Sequence, residues 1–185
     1  MTDSDIDGVH LRPIEEADLD EMARFSTDPD ALGEYEWMGF RGPGIWRRRW
    51  EEDGWIGEKS TWLAIAAADG TFLGVVSFGE RSEGSNVHAC FEIGASLLPA
   101  HRGRGIGTHA QGLLVEHLWS TTQVHRLQAR TEAGNVAEER ALEKIGFELE
   151  GRLREAFFRA GRWRDSLVFG LLRPEEVASD QPDGQ

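Results

Sequence analysis

Apolar positions along this chain recur in runs of two periods, and the order of those runs predicts its elements. Val9 to Arg12 reads as a short strand ended by Pro13. Glu15 to Phe25 then carries Leu19, Met22, Ala23 and Phe25 at helical spacing behind an acidic first turn. A Gly-rich and Trp-rich stretch occupies 33–60, with a short helix expected around Ile45 to Glu52. Trp62 to Ala68 and Thr71 to Phe78 are apolar runs joined by Asp69-Gly70, a pair that favours a two-residue hairpin. His88 to Leu98 makes a third long strand, which leads into the glycine-rich stretch "PAHRGRGIGTHA" at 99–110. From Ile106 the positions Ala110, Leu113, Leu114 and Leu118 keep helical spacing, and His125 to Thr131 is the next strand. A strand, helix, strand crossover of this kind predicts a parallel pair. Asn135 to Ile145 is a further helix with Ala137, Ala141, Leu142 and Ile145 on one face and Gly146 as its stop. Glu148 to Arg159 and Trp163 to Leu172 form a hairpin about Ala160-Gly161. The pattern is that of an α/β protein whose strands meander first and cross over later. It forms one domain over 9–174, between disordered polar tails at 1–8 and 175–185.

Composition narrows the classes. The chain has 185 residues, 39% of them hydrophobic, which suffices for one continuous core. No apolar run approaches the roughly 20 residues needed to cross a bilayer, and acidic residues follow Met1, so a soluble cytoplasmic protein with no membrane partner is expected. A single cysteine, Cys90, excludes an internal disulfide and a cysteine-cluster metal site. The six histidines show no ligand spacing with a carboxylate, so no metal is expected. Of the formal charge of −13, residues 1–60 carry 16 acids against 7 bases, whereas 101–164 carry 8 against 11. That balance disfavours sequence-independent nucleic-acid binding, which needs a broad basic field. A local basic segment beside an acid-rich remainder suits an anionic cofactor and a cationic substrate; taken alone, the acidic half is explained by solubility.

The basic segment begins at the glycine-rich turn, for which three phosphate chemistries compete. Gly105-Ile-Gly-Thr-His-Ala matches the dinucleotide pattern, with Glu132 in the place of a ribose-binding acid. In that fold the turn follows the first strand of a long parallel sheet, and here about a hundred residues precede it. A phosphate loop of the G-x-x-x-x-G-K-[ST] type needs a lysine, and the only lysines are Lys59 and Lys144. The third pattern is R-x-x-G-x-G over Arg102-Gly-Arg-Gly-Ile-Gly, between an antiparallel strand and a helix. Its glycines turn successive N–H groups toward one point, the helix N-terminus adds partial positive charge, and Arg102 and Arg104 supply charge-assisted donors.

That motif after a long meander strand, with "NVAEERALEKIGF" at 135–147 and "ELEGRLREAFFRAGRWRDSLVFGLLR" behind it, resembles the GNAT superfamily of N-acetyltransferases. The likeness is greatest to the branch containing RimJ and RimL, and it covers about Val9 to Pro174. It implies a GNAT fold: a mixed, mostly antiparallel sheet of six to seven strands with a central parallel splayed pair, flanked by about four helices. It further implies acetyl-CoA as cofactor, with the pyrophosphate on the amides of Arg102, Gly103, Arg104, Gly105, Ile106, Gly107 and Thr108. Ser96, Leu97 and Leu98 would pair with the pantetheine arm, joined by Asn135, which is also a natural helix cap. The activity implied is direct transfer of an acetyl group to a primary amine in a ternary complex. A protein N-terminus is the acceptor in the RimJ and RimL branch. A small amine, or coenzyme A binding without catalysis, is the alternative, and the protein would act as a monomer or homodimer.

Acyl transfer to an amine needs a neutral nucleophile, a stabilised oxyanion and a proton for the leaving thiolate. Glu92 stands where several such enzymes carry a base or water-holding carboxylate. It shares strand parity with Cys90, Gly94 and Ser96 and reads equally as a structural acid paired to an arginine. His88 is a weaker base. Relatives place a serine or tyrosine on the helix after the asparagine; here that position is Glu138 and the only tyrosine is Tyr35, so the leaving thiolate takes its proton from water, from the ammonium product or from Glu138 in its protonated form. Cys90 with His88 is not a nucleophile pair, since a lone strand cysteine is more often a small buried hydrophobe. Gly94-Ala-Ser-Leu-Leu lacks the second glycine of a nucleophile elbow. Five of seven tryptophans lie in the 26 residues from Trp37 to Trp62, interleaved with acids. Most of them pack the core; Glu34, Tyr35, Glu36 and Trp37 are the acceptor-contact candidates.

Overall fold

A computed structural model of the chain describes residues 6–37, 39–81 and 90–174. The tail expected over 175–185, most of that over 1–8, and His88 lie outside those residues. Seven strands, β1 (His10–Pro13), β2 (Ser60–Ala66), β3 (Phe72–Arg81), β4 (Cys90–Leu97), β5 (Arg126–Glu132), β6 (Glu148–Arg159) and β7 (Arg162–Leu172), form one sheet. The helices are α1 (Leu19–Thr27), α2 (Pro29–Leu32), α3 (Gly44–Asp53), α4 (Ile106–Thr121) and α5 (Val136–Lys144). The sheet order is β1-β2-β3-β4-β5-β7-β6, antiparallel throughout except for the parallel β4–β5 pair. This is the mixed α/β sheet with a central parallel pair that the pattern predicts.

Local chemistry explains the departures. Asp28 caps α2 through Asp30 N–H, with Pro29 in the first turn, adding a helical turn the periodicity is too short to reveal. The β2–β3 connection has a three-residue tip, not two: Ala67 N–H bonds Thr71 O and Gly70 turns at φ +88°. Beyond it the register skips between Ile65 and Ala66, where Leu73 is the extra residue.

Strand parity sorts the apolar residues onto two faces. On one, Ile65, Val76, Ile93, Leu127, Ala129, Leu167 and Phe169 pack under Leu114 and Leu118 of α4 and Leu142 of α5. On the other, Ala64, Phe72, Val75 and Leu98 pack under Leu19, Met22 and Phe25 of α1 and a tryptophan group. In that group the ring centroids of Trp46, Trp55 and Trp62 lie 5.0 to 5.6 Å apart. Trp46 Nε1 donates to Ser26 Oγ and Trp55 Nε1 to Trp46 O, so each buried indole N–H is satisfied.

The two parallel strands pair only from Cys90↔Arg126 to Ile93↔Ala129. Beyond that point Gly94 to Leu97 stay paired with β3, and Arg130 to Glu132 stay paired with β7. The edges facing each other in between diverge into a cleft.

Candidate active site

The cleft opened by the parting strands has a volume of about 370 Å³. Gly94, Ala95 and Ser96 of β4 form one wall and Arg130, Thr131 and Glu132 of β5 another; Asn135 and Glu138 close the far side. Trp62, which pattern analysis assigned to the core, lines this cleft as well. Asn135 caps α5, its Oδ1 accepting from Glu138 N–H and its Nδ2 donating to Thr131 Oγ1 at 3.0 Å. The cap therefore sets both the start of α5 and the place of Glu138 on its first turn.

Below the cleft, the glycine-rich turn has the geometry of an anion cradle. Gly103 and Gly105 take φ of +72° and +81°, a region that side chains with a Cβ avoid. Helix α4 follows with Gly105 as its N-cap and no side-chain cap, which leaves its first N–H groups for an outside acceptor. A Cβ on Gly107 would stand 3.4 Å from Leu97 Cδ1, so a small residue lets the helix start sit against the end of β4. This donor set fits a phosphate.

Arg102 is placed differently from the expectation. Its Nε donates to Leu97 O at 2.9 Å and its Nη groups to Asp30 O and Ala31 O, while its own amide donates to Pro99 O. With those donors committed to carbonyls, Arg102 ties α2 to the end of β4 and leaves the cradle to Gly103–Thr108. Ile106 and Leu98 bury their side chains in the two cores, in keeping with the backbone contacts expected of them, and Leu98 N–H is itself donated to Leu73 O.

Glu92 also stands apart. Its Oε2 accepts from Arg81 Nη1 at 2.6 Å and Gln128 Nε2 at 3.3 Å, with Arg130 Nε at 3.5 Å. It is not among the residues that line the cleft. Of its two readings, the geometry matches the structural acid, a carboxylate held between Arg81 and Arg130.

Two other carboxyls do face the cleft. Burial pushes Glu138 up to about 7; Gln111 Nε2, donating at 3.3 Å, opposes this, and the like charge of Glu36 reinforces it. Glu36 reaches the cleft from the loop after α2, accepting from Ser96 Oγ at 2.5 Å. The residue is exposed overall, but its carboxyl turns inward onto Ser96; desolvation there raises it, while Ser96 and Arg102 hold it down. The same loop carries Tyr35, whose hydroxyl donates to Gly134 O at 2.9 Å across 99 positions of sequence. Tyr35 separates the cleft from a second groove of about 710 Å³, which Glu34 and Trp37 line. All four acceptor-contact candidates thus border these two spaces.

The floor shared by both spaces holds residues that sequence reasoning missed. Glu132 has its side chain only 4% exposed and accepts from Arg159 Nε at 3.0 Å, with Arg164 Nε at 3.6 Å on its other oxygen. The signal was present as polar alternation, Arg126, Gln128, Arg130 and Glu132 on β5 and Arg162, Arg164 and Ser166 on β7. Chain order conceals that β7 inserts between β5 and β6 and brings those rows together.

Residues 9–148 match the family model described as the acetyltransferase (GNAT) domain. A probable N-acetyltransferase, YjcK of Bacillus subtilis (strain 168), is 34% identical over 112 residues, 60% of this chain and 61% of that protein. The ribosomal protein uS5 alanine N-acetyltransferase of Escherichia coli (strain K12) is 29% identical over 103 residues, 56% of this chain and 52% of its own. The matches thus span less than two thirds of those relatives' lengths. A spermidine N-acetyltransferase from Vibrio cholerae, solved with CoA and spermine, superposes with a TM-score of 0.79 at 18% identity, covering 90% of this chain and 96% of its own. Parted parallel strands, an uncapped glycine-rich helix start and a family match across three quarters of the sequence agree: the chain belongs to the GNAT acetyltransferase family.

Proposed function

We propose that the protein is an acetyl-CoA-dependent N-acetyltransferase acting on a peptide or protein N-terminus. The observation that carries this is the cleft between the parted ends of β4 and β5, with the cradle at the start of α4 held against the end of β4 at Leu97. The amides of Gly103–Thr108, with Arg104 in the same turn, hold the pyrophosphate, and the free edge of β4 at Gly94–Leu97 takes the pantetheine amides. Acetyl-CoA supplies an acetyl group activated as a thioester.

The chain's own residues handle the protons. Glu36 and Glu138 repel each other's charge, so the pair favours the state with one proton between them. Ionised Glu36 takes one proton of the acceptor ammonium and passes it to water; as the new N–C bond replaces the C–S bond, protonated Glu138 gives its proton to the departing sulfur and recovers one from the acylated nitrogen. Asn135 and Gln111 orient Glu138 from either side. The groove beyond Tyr35 favours a peptide, because it leaves room for residues following the reacting amine. A small polyamine is the second reading, favoured by the carboxyls Glu34, Glu36 and Glu138 along the mouth.

Thiol release from acetyl-CoA, measured against a panel of N-terminal peptides and a panel of di- and polyamines, tests the assignment. Higher kcat/KM on peptides is the expected result. Preference for polyamines selects the second reading, and tight CoA binding without turnover on either panel overturns both.

A further inference from the structure

The charge balance on the floor of the larger groove points to a feature of the acceptor; the inference rests on the transfer reading above. Glu132 is a single buried carboxylate facing two guanidiniums. Arg159 commits its Nε and an Nη to Glu132 and lies 5.6 Å over the Tyr35 ring. Arg164 is left with a Coulombic contact at 3.6 Å, and its buried Nε has no hydrogen-bond partner among the described residues. The Arg164 side chain is 27% exposed and open to the groove, and because Glu132 is shared with Arg159, one carboxylate serves two guanidiniums there. Trp37 and Phe158 line the same groove. Trp37 forms a T-shaped pair with Phe40 on one side, and Phe158 pairs with Trp163 on the other, at centroid distances of 5.2 and 5.6 Å. Asp30 and Glu34 lie on the rim, exposed to water that screens them.

We propose that this groove is a carboxylate subsite: the acceptor carries an anionic group a few bonds beyond its reacting amine, and Arg164 receives it. Tyr35 and Glu132 line both the cleft and the groove, so one molecule extends from the first into the second. A guanidinium matches a carboxylate in a planar, two-bond geometry that an ammonium lacks. The carboxylate comes either from an acidic side chain at position 2 or 3 of a peptide or from the α-carboxylate of a free amino acid.

The test uses the full chain with acetyl-CoA, peptides carrying Glu, Gln or Lys at position 2 or 3, and free amino acids. Glu peptides are expected to exceed their Gln counterparts by about tenfold or more in kcat/KM, the worth of a charge-assisted hydrogen bond. Arg164→Gln brings that ratio close to one, and Arg164→Lys restores part of it. Added salt lowers the same ratio in the unaltered protein, a measurement independent of whether the variants fold. Free amino acids outrunning all peptides places the carboxylate on the α-carbon and supports the subsite equally. Equal use of Glu and Gln peptides, or preference for Lys, overturns the subsite while leaving acetyl transfer intact; no turnover of any acceptor removes both.

Discussion

One face of this sheet is built in two chemistries. Over β1 to β4 it is apolar, roofed by α1 and the stacked Trp46, Trp55 and Trp62. Over β5 and β7 it is Gln128, Arg130, Glu132, Arg164 and Ser166, with no helix above. The opposite face is apolar from β1 to β7, because α4 and α5 cover it. The difference teaches where function goes: an uncovered stretch of sheet gains nothing from burying hydrocarbon and is available for charged groups that contact a ligand.

The sharpest way to break the comparison is to truncate one member of each half. Trp46→Ala empties the roof and is expected to cost about 3–5 kcal/mol in urea unfolding, with kcat unchanged in the molecules that stay folded. Glu132→Ala leaves two guanidiniums facing each other and is expected to cost a similar amount, about 3–5 kcal/mol, while also weakening KM for the acceptor. If Glu132→Ala lowers stability alone, the open half is as structural as the roofed one.

Glu138→Gln keeps the shape and removes the proton. A fall in kcat of about 10²–10⁴ is expected, together with loss of the alkaline limb near pH 7 that ionisation of Glu138 imposes on the unaltered enzyme. The same variant reads out in stability. Because the folded-state value lies above the unfolded one, the native protein holds this proton more tightly, so stability falls as pH rises from about 4.5 through about 7. Glu138→Gln therefore raises stability at pH 8 by about 1–3 kcal/mol, allowing for partial exposure, and leaves it unchanged near pH 4. The smallest effect is expected at the surface: Arg47→Ala breaks the exposed pair with Glu16 and should move Tm by less than a degree or two.

Much of this was legible in the chain. The glycine-rich turn, the crossover and the parallel pair follow from periodicity and from residues adjacent in sequence. The cleft's chemistry is less legible, because its members meet only after folding. Tyr35 reaches Gly134 and Glu36 reaches Ser96 through a loop with no period of its own. Arg102 belongs to the motif by position yet serves α2 by its side chain, since the Leu97, Asp30 and Ala31 carbonyls lie within its reach. Glu92 and Glu132 are alike on paper, both acids on central strands, and only β7's place beside β5 gives Glu132 its two arginines.

The β6–β7 hairpin supplies Phe158, Arg159 and Arg164 to the groove, and the glycine-rich turn lies at the start of α4. On the proposed reading, donor grip and acceptor choice are separate parts of one sheet, and the second can be redrafted without disturbing the first. Exchanging the hairpin tip for one of different charge would retarget the enzyme to new amines while it kept the same acyl currency.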